Sequence, residues 1–368
     1  MIYLDNGATS LHKPPQVRAA VANAMGRYAN PGRGGYRAAM EAAELVYTCR
    51  ETAANMLQCQ PEQVTFTANG THGLNIAIHT LVSPGERVLI SGFEHNAVTR
   101  PLYALGAEIL VAGRKLFDHG EMLWAWEQGL RKKPKAAVFT HVSNGFGYIL
   151  PVEEMAALCR KYGVPFAVDA AQSAGMLPVQ AESWGADFVA MPGHKGLLGP
   201  QGTGILVCRT MPKPLLCGGT GSASLEQAMP EVLPDRVEAG TVNVPGIAGL
   251  LEGMRYVNRA GINTLFARQK TQATACGRGL AKLGMRVFTG PHQSGTISFV
   301  PPGDCQELAQ QLARQGVAVR AGLHCAPLAH ESAGTLETGT VRVSFGHDAC
   351  AEQTRNFLRI LENLSQKI

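Results

Sequence analysis

The sequence predicts an α/β fold: a large domain on a mostly parallel seven-stranded sheet, then a smaller α+β C-terminal domain. Three observations carry this. From about residue 64, short apolar runs alternate with helical patterns, the sign of βαβ units in a covered sheet. After about residue 245, strands become fewer and helices longer. The composition, 45% apolar and 17% charged over 368 residues, can fill a large core and is too apolar for a disordered chain.

Taken in order, the apolar runs at 64–67, 87–90, 108–111, 136–140, 165–168, 187–190 and 204–208 supply the seven strands, the last following a glycine-rich turn. Between them, helical patterns cover 73–81, 96–105, 121–131 and 152–162. Beyond them, 245–259 reads as a long helix, 296–300 as a strand and 306–315 as a helix. Strands follow at 317–319 and 340–343, and an amphipathic helix at 348–364 closes the chain. No repeat, heptad run or disordered linker interrupts the pattern.

Charge and hydropathy exclude several classes. Thirty-three basic against 28 acidic residues leave +5, without a basic run, so no nucleic-acid partner is expected. No apolar stretch approaches the roughly 18 residues of a membrane span, and the start Met1-Ile2-Tyr3-Leu4-Asp5 lacks a signal-peptide pattern. A cytoplasmic protein without a membrane partner is therefore expected. Nine cysteines without a C-x-x-C pair are best read as small buried hydrophobes. His324, Cys325 and His330 form H-C-x4-H, but three groups on one loop match no structural zinc spacing, and no metal is expected.

Two residues concentrate the chemistry. Asp169 ends an apolar strand, where open α/β sheets place ligand-binding groups, although in isolation an acidic helix cap explains it better. Lys195 lies 26 positions later, boxed by glycines in Pro192-Gly193-His194-Lys195-Gly196. Neither a phosphate-loop nor a dinucleotide spacing can be drawn through it. A Schiff-base lysine fits, with glycine backbone leaving room for a flat cofactor. Pyridoxal 5'-phosphate requires such a lysine and a carboxylate on its ring nitrogen. Gln172, one helical turn after Asp169, is placed to reach the ring oxygen.

These motifs resemble the class V aminotransferase family. Beside Asp-x-x-Gln and Gly-His-Lys, the opening Tyr3-Leu4-Asp5-Asn6-Gly7-Ala8-Thr9 is similar to its start. Glu94-His95-Asn96, His141-Val142-Ser143-Asn144 and Glu238-Ala239-Gly240-Thr241-Val242-Asn243 resemble three further family segments. The resemblance implies a fold-type-I pyridoxal phosphate enzyme with a large domain over 14–247 and a small domain over 248–368, on which 1–13 packs. It implies that His95 stacks on the cofactor ring and that Asn144 lies near cofactor and substrate. It also implies that Thr241 reaches the phosphate from the partner subunit, hence a homodimer.

Arg320-Ala321-Gly322-Leu323-His324-Cys325-Ala326 resembles the segment of group II cysteine desulfurases and selenocysteine lyases whose cysteine accepts sulfur. Thr340-Val341-Arg342-Val343-Ser344 resembles the strand whose arginine grips the substrate carboxylate. The implied reaction converts L-cysteine to L-alanine with a persulfide on Cys325, while Lys195 or His95 moves protons. L-selenocysteine cleavage and a transaminase or epimerase reaction are the alternatives, and a sulfur-acceptor protein is an implied partner. Arg320 joins Asn144 and Arg342 as a substrate contact, and His324 or Arg320 is placed to raise the thiolate fraction of Cys325.

The chain departs from the family at two places. Pro192 stands where a hydroxyl residue usually precedes Gly-His-Lys, and the phosphate turn reads Asn69-Gly70-Thr71-His72-Gly73. That turn opens a helix, whose first N–H groups and dipole can hold a phosphate, with Thr71, His72 and His194 as further donors.

Overall fold

The computed structural model describes residues 1–32 and 34–365, the last as backbone only. Thirteen strands run through these residues. They are β1 (Ile2–Tyr3), β2 (Val64–Thr67), β3 (Arg87–Ser91), β4 (Glu108–Ala112), β5 (Ala136–Thr140), β6 (Phe166–Asp169) and β7 (Phe188–Pro192). After these come β8 (Gly204–Cys208), β9 (Arg286–Phe288), β10 (Thr296–Val300), β11 (Val317–Ala318), β12 (Arg320–Gly322) and β13 (Thr340–Ser344). Strands β2 to β8 form one sheet in the order β2-β8-β7-β6-β5-β3-β4, with only β8 antiparallel to its neighbours. These are the seven strands expected from the sequence.

Burial on both faces explains why they read as continuous apolar runs. In β5, Ala137 and Phe139 enter one core with Trp126 and Met155, while Ala136 and Val138 enter the opposite one with Leu74 and Val98. A second sheet, β12-β13-β10-β9, is antiparallel throughout. Its Ile297, Phe299, Val341 and Val343 share a core with Cys276 and Leu280 of helix Ile262–Lys282 and Phe357 of helix Ala351–Ser365.

The N-terminus belongs to this second core. Strand β1 pairs in parallel with β11, and Leu4 is buried beside Val317 and Val343. Helix Val244–Ala260 is capped by the Asn243 side chain, which accepts from Gly246 N–H. Its Leu250, Leu251 and Met254 pack into the core of the larger sheet. No helix among the described residues is long and apolar enough to cross a membrane.

The turn after β6 and the turn carrying Lys195 touch through glycines. Gly175 holds φ at 79°, and a Cβ there would run into the Gly196 carbonyl; a Cβ on Gly196 would in turn meet the Ala174 carbonyl. Gly163 has a similar φ of 66° but open space around its missing Cβ. Gly163→Ala should therefore cost only the left-handed strain, about 1–2 kcal/mol. Gly175→Ala adds a backbone collision, and should cost roughly 3 kcal/mol or more while displacing the Lys195 turn. Denaturant midpoints of the two variants, with cofactor absorbance for the second, check the difference.

Candidate active site

The carboxyl ends of the parallel strands converge on one cleft, as the topology of an open α/β sheet requires. Strand β6 ends in Asp169, and β7 runs into the turn bearing His194 and Lys195. Strand β3 leads to His95, which caps helix Asn96–Ala104. Strand β5 leads to Asn144, and β2 leads into helix Gly70–Leu81. Gly70, Thr71, His95, Asn144, Asp169, Gln172, His194 and Lys195 all line a cleft of about 500 Å³. A second hollow of about 610 Å³, lined by Gly7, Gln269 and Ser344 among others, meets the first at Gln172 and Lys195.

Five expected residues lie elsewhere. Arg342 is buried in an interior strand of the antiparallel sheet. Its Nη2 donates to Asp5 Oδ1 at 2.8 Å and its Nη1 to the Asn144 carbonyl at 3.0 Å, while Nε is buried without a partner. Arg320 pairs with the other oxygen of Asp5 at 3.2 Å. His72 and Thr241 line a separate groove with Glu238. Cys325 is exposed.

Burial sets the protonation of the cleft. It pushes Lys195 down to about 8, with the nearby Asp169 opposing. It raises Asp169 above the usual carboxylate range, against a hydrogen bond from Ala171 N–H to Oδ1 at 2.8 Å. Asp169 therefore caps a turn and faces the lysine together. His95 and His194 are both lowered to about 4, chiefly by burial and secondly by the charge of Lys195. As a neutral ring, His95 accepts from Ala97 N–H at Nδ1 over 3.0 Å, so its proton sits on Nε2.

Residues 171–176 form turns and no helix, which corrects the helical spacing expected between Asp169 and Gln172, and the Gln172 amide donates to the Gly7 carbonyl at 2.9 Å. One Gln172 N–H is thereby committed away from any ring oxygen. His324 does not serve Cys325 as an activating charge. Its ring is buried, with Nδ1 against His330 Nε2 and Nε2 against the Arg320 carbonyl, both at 3.2 Å. Burial also holds it well below the ordinary histidine range, so it is neutral.

The Cys325 segment is pinned to the cleft by its backbone. Asn144 Nδ2 donates to the His324 carbonyl at 2.6 Å, and Asn96 N–H donates to the Cys325 carbonyl at 2.7 Å. His324 and Cys325 both take left-handed conformations, with φ of 52° and 56°. This strained turn leaves the thiol exposed, on a residue whose carbonyl is held by the amide that follows His95. The H-C-x4-H residues form no metal cluster, and none exists among the described residues.

The cleft fits pyridoxal phosphate. Asn144 Oδ1 is buried without a partner, an orphan acceptor in a polar cleft. The N-terminus of helix Gly70–Leu81 opens there with the Thr71 hydroxyl beside it, and its first amides have no intrahelical acceptor. The missing Gly70 side chain lets the helix start approach Pro192, whose Cδ would lie 3.1 Å from a Cβ. The departure at 192 is thus accommodated by packing.

Glu94, which the sequence places beside His95 without a role of its own, is wholly buried where β3 and β5 end. Its Oε1 accepts from the Ser91 hydroxyl and, at 3.0 Å, from Thr140 N–H, while Oε2 has no partner. Burial pushes this carboxyl up to about 8, overcoming both hydrogen bonds, and Asp169 adds to the rise. Between the unfolded value near 4.3 and this folded value, the unfolded chain releases a proton that the folded chain keeps, so stability falls as pH rises. Glu94→Gln removes this slope. Urea denaturation at two pH values two units apart within that window should show wild type losing up to about 2–3 kcal/mol relative to Glu94→Gln.

A family model described as aminotransferase class-V matches residues 2–357. A probable cysteine desulfurase of Pyrococcus abyssi is 31% identical, covering 100% of this chain and 95% of its own length. One from Methanothermobacter thermautotrophicus is 30% identical over 99% and 94%. Among solved structures, apo cysteine desulfurase from Thermococcus onnurineus superposes with a TM-score of 0.91 at 30% identity, covering 100% of this chain and 95% of that one. A cysteine desulfurase from Escherichia coli, at 24% identity and a TM-score of 0.84, shares the fold. The architecture is that of fold-type-I pyridoxal phosphate enzymes, and the chain belongs to the class V aminotransferase family.

Proposed function

We propose that this protein is a pyridoxal phosphate-dependent cysteine desulfurase that releases sulfur from L-cysteine, leaves L-alanine and carries the sulfur on Cys325. The observation that carries this reading is the exposed Cys325, pinned by Asn96 and Asn144 beside a cleft that joins Lys195, Asp169 and His95. Relatives named as cysteine desulfurases, matched over nearly the whole chain, support it.

When bound, the cofactor supplies a carbonyl for the substrate amine and an electron-accepting ring. Asp169 would keep its ring nitrogen protonated, helix Gly70–Leu81 with Thr71 and His194 would hold its phosphate, and His95 would cover its ring. Lys195, lowered to about 8 by burial, presents an appreciable share of free amine near neutral pH and moves protons at Nζ. Arg342 offers its unpaired Nε–H and a second Nη2 hydrogen to the substrate carboxylate, two parallel charge-assisted bonds. The Cys325 thiolate attacks the substrate sulfur. An S–S bond forms and the C–S bond breaks, its electron pair staying with the carbon skeleton, which is protonated to alanine.

Thr241 lies outside the Lys195 cleft of its own chain, in a groove with His72. This supports a homodimer in which Thr241 serves the neighbouring subunit. A cytoplasmic location and a protein that accepts the persulfide sulfur complete the proposal.

Lys195→Ala should lower alanine formation by at least about 10³-fold and eliminate the lysine-bound cofactor that borohydride fixes for peptide mapping. A retained adduct on another lysine would overturn the assignment. Cys325→Ser should keep cofactor absorbance and cysteine binding but lose about 10²-fold or more in alanine release, since a hydroxyl is a poor nucleophile towards sulfur. Mass spectrometry of wild type should place one added sulfur atom on the Cys325 peptide. Wild-type turnover by Cys325→Ser, or the sulfur on another cysteine, contradicts the reading.

A further inference from the structure

We propose that His330 is a positioning residue for the Cys325 turn, acting through the ring of His324 in a one-way chain of hydrogen bonds that starts at Thr335. The inference rests on the reading of Cys325 as sulfur acceptor. His330 sits in helix Pro327–Ala333, which begins directly after the Cys325 turn, and it is fully buried, as is Thr335.

The order of donors follows from one fixed point. The Arg320 carbonyl can only accept, so His324 Nε2 carries a proton and donates to it at 3.2 Å. A neutral His324 then has an accepting Nδ1, which faces His330 Nε2 at 3.2 Å. With His324 neutral, His330 must donate there, so its own Nδ1 accepts, and Thr335 Oγ1, 2.8 Å from that nitrogen and 3.5 Å from the His330 carbonyl, turns its hydrogen to the ring. Every polar ring atom is then satisfied with both rings uncharged. Burial lowers His330 to about 4, in agreement.

This chain fixes what the backbone alone does not. His324 and Cys325 both lie in the left-handed region that side chains other than glycine disfavour. Such a conformation persists only where surrounding structure over-determines it. Asn144 and Asn96 hold the two carbonyls of the turn, and His330 holds the one side chain that can rotate it. The helix bearing His330 is itself fastened to the segment before His95, where Ser332 Oγ donates to the Gly92 carbonyl at 2.9 Å. Thiol and cleft thereby share one frame.

The test compares His330→Ala, His330→Gln and Thr335→Val as cofactor-loaded enzyme. His330→Ala should lower kcat for alanine formation by about 10-fold or more with KM for L-cysteine within about twofold, since binding precedes sulfur transfer. His330→Gln keeps a donor at the Nε2 position and should stay within about threefold of wild type. Amide exchange over 320–326 should quicken by about 10-fold in His330→Ala and not in His330→Gln, with β10 and β13 unchanged. Thr335→Val leaves His330 without a fixed tautomer and should fall between the two in kcat and exchange. The proposal is overturned if His330→Ala keeps wild-type kcat and exchange, if His330→Gln folds yet behaves as the alanine variant, if the loosening spreads through β10 and β13, or if Thr335→Val matches wild type. If Cys325→Ser alone retains full turnover, the desulfurase reading fails, and exchange over 320–326 still judges His330.

Discussion

The site depends on the ion pair between Asp5 and Arg342. Asp5 sits at the end of a short N-terminal strand, 337 positions from its partner, and its carboxylate is divided between the buried Arg342 at 2.8 Å and Arg320 at 3.2 Å. A guanidinium buried without a counter-charge costs about 3–5 kcal/mol, so Arg342 can stand in the core of the second sheet only while Asp5 is present. The chain that follows Asp5 then ties three elements together. Gly7 N–H donates to Ser344 Oγ at 2.7 Å, and the Gly7 carbonyl accepts from Gln172. Ser10 Oγ donates to the Lys195 carbonyl at 3.1 Å, and Lys13 Nζ donates to the His194 carbonyl at 2.9 Å. A Cβ at position 7 would lie 3.1 Å from Arg342 Cζ and press on the ion pair. The N-terminal segment thus sets Arg342 and the lysine turn against each other.

Electrostatics in the cleft follow from the same enclosure. Desolvation is the leading cause of every large shift there: Glu94 up to about 8, Lys195 down to about 8, His95 and His194 down to about 4. Two buried carboxyls, Glu94 and Asp169, stand near one ammonium, and only Asp169 appreciably stabilises that charge. Leaving Glu94 neutral avoids a second buried negative charge, and its hydrogen bonds tie the end of β3 to the start of the His141–Asn144 segment. The neutral histidines act as oriented dipoles, each with one ring nitrogen already engaged by Ala97 N–H or Thr9.

Much of this was legible in the sequence because of how parallel sheets are built. Strands buried on both faces leave unbroken apolar runs, and ligand groups gather where those runs stop, as at Asp169. The helices Pro15–Arg27, Arg37–Leu57 and Ile262–Lys282 left weaker traces. The first buries only Val17 and Ala24, and half of the buried residues of the second are alanines, which carry little apolar signal. The third mixes Gln269 and Gly277 into its buried stripe. The structural roles of Asp5 and His330 were silent for a different reason. Their partners are set by tertiary contact, and no local spacing announces that a carboxylate near the N-terminus will meet an arginine near the C-terminus. Proximity in sequence also misled: His324 adjoins Cys325 along the chain, yet both its ring nitrogens turn to His330 and Arg320.

Accessibility narrows the nine cysteines to three, and position relative to the cleft favours Cys325 among them as the proposed sulfur carrier. Cys49, Cys159, Cys208, Cys276 and Cys305 are buried. Burial raises their thiols, to about 12 for Cys159, Cys208 and Cys276, and the half-buried Cys59 is raised as far. A thiol that stays protonated does not attack sulfur. Cys217, Cys325 and Cys350 are exposed. Of these, only Cys325 has a backbone hydrogen bond to the His95 segment, and only its turn is held by Asn144 of the cleft. A sulfur carrier must meet a substrate in the cleft and then release its cargo outside it. A thiol on a rigid turn at the rim meets both demands, whereas a buried one would meet neither.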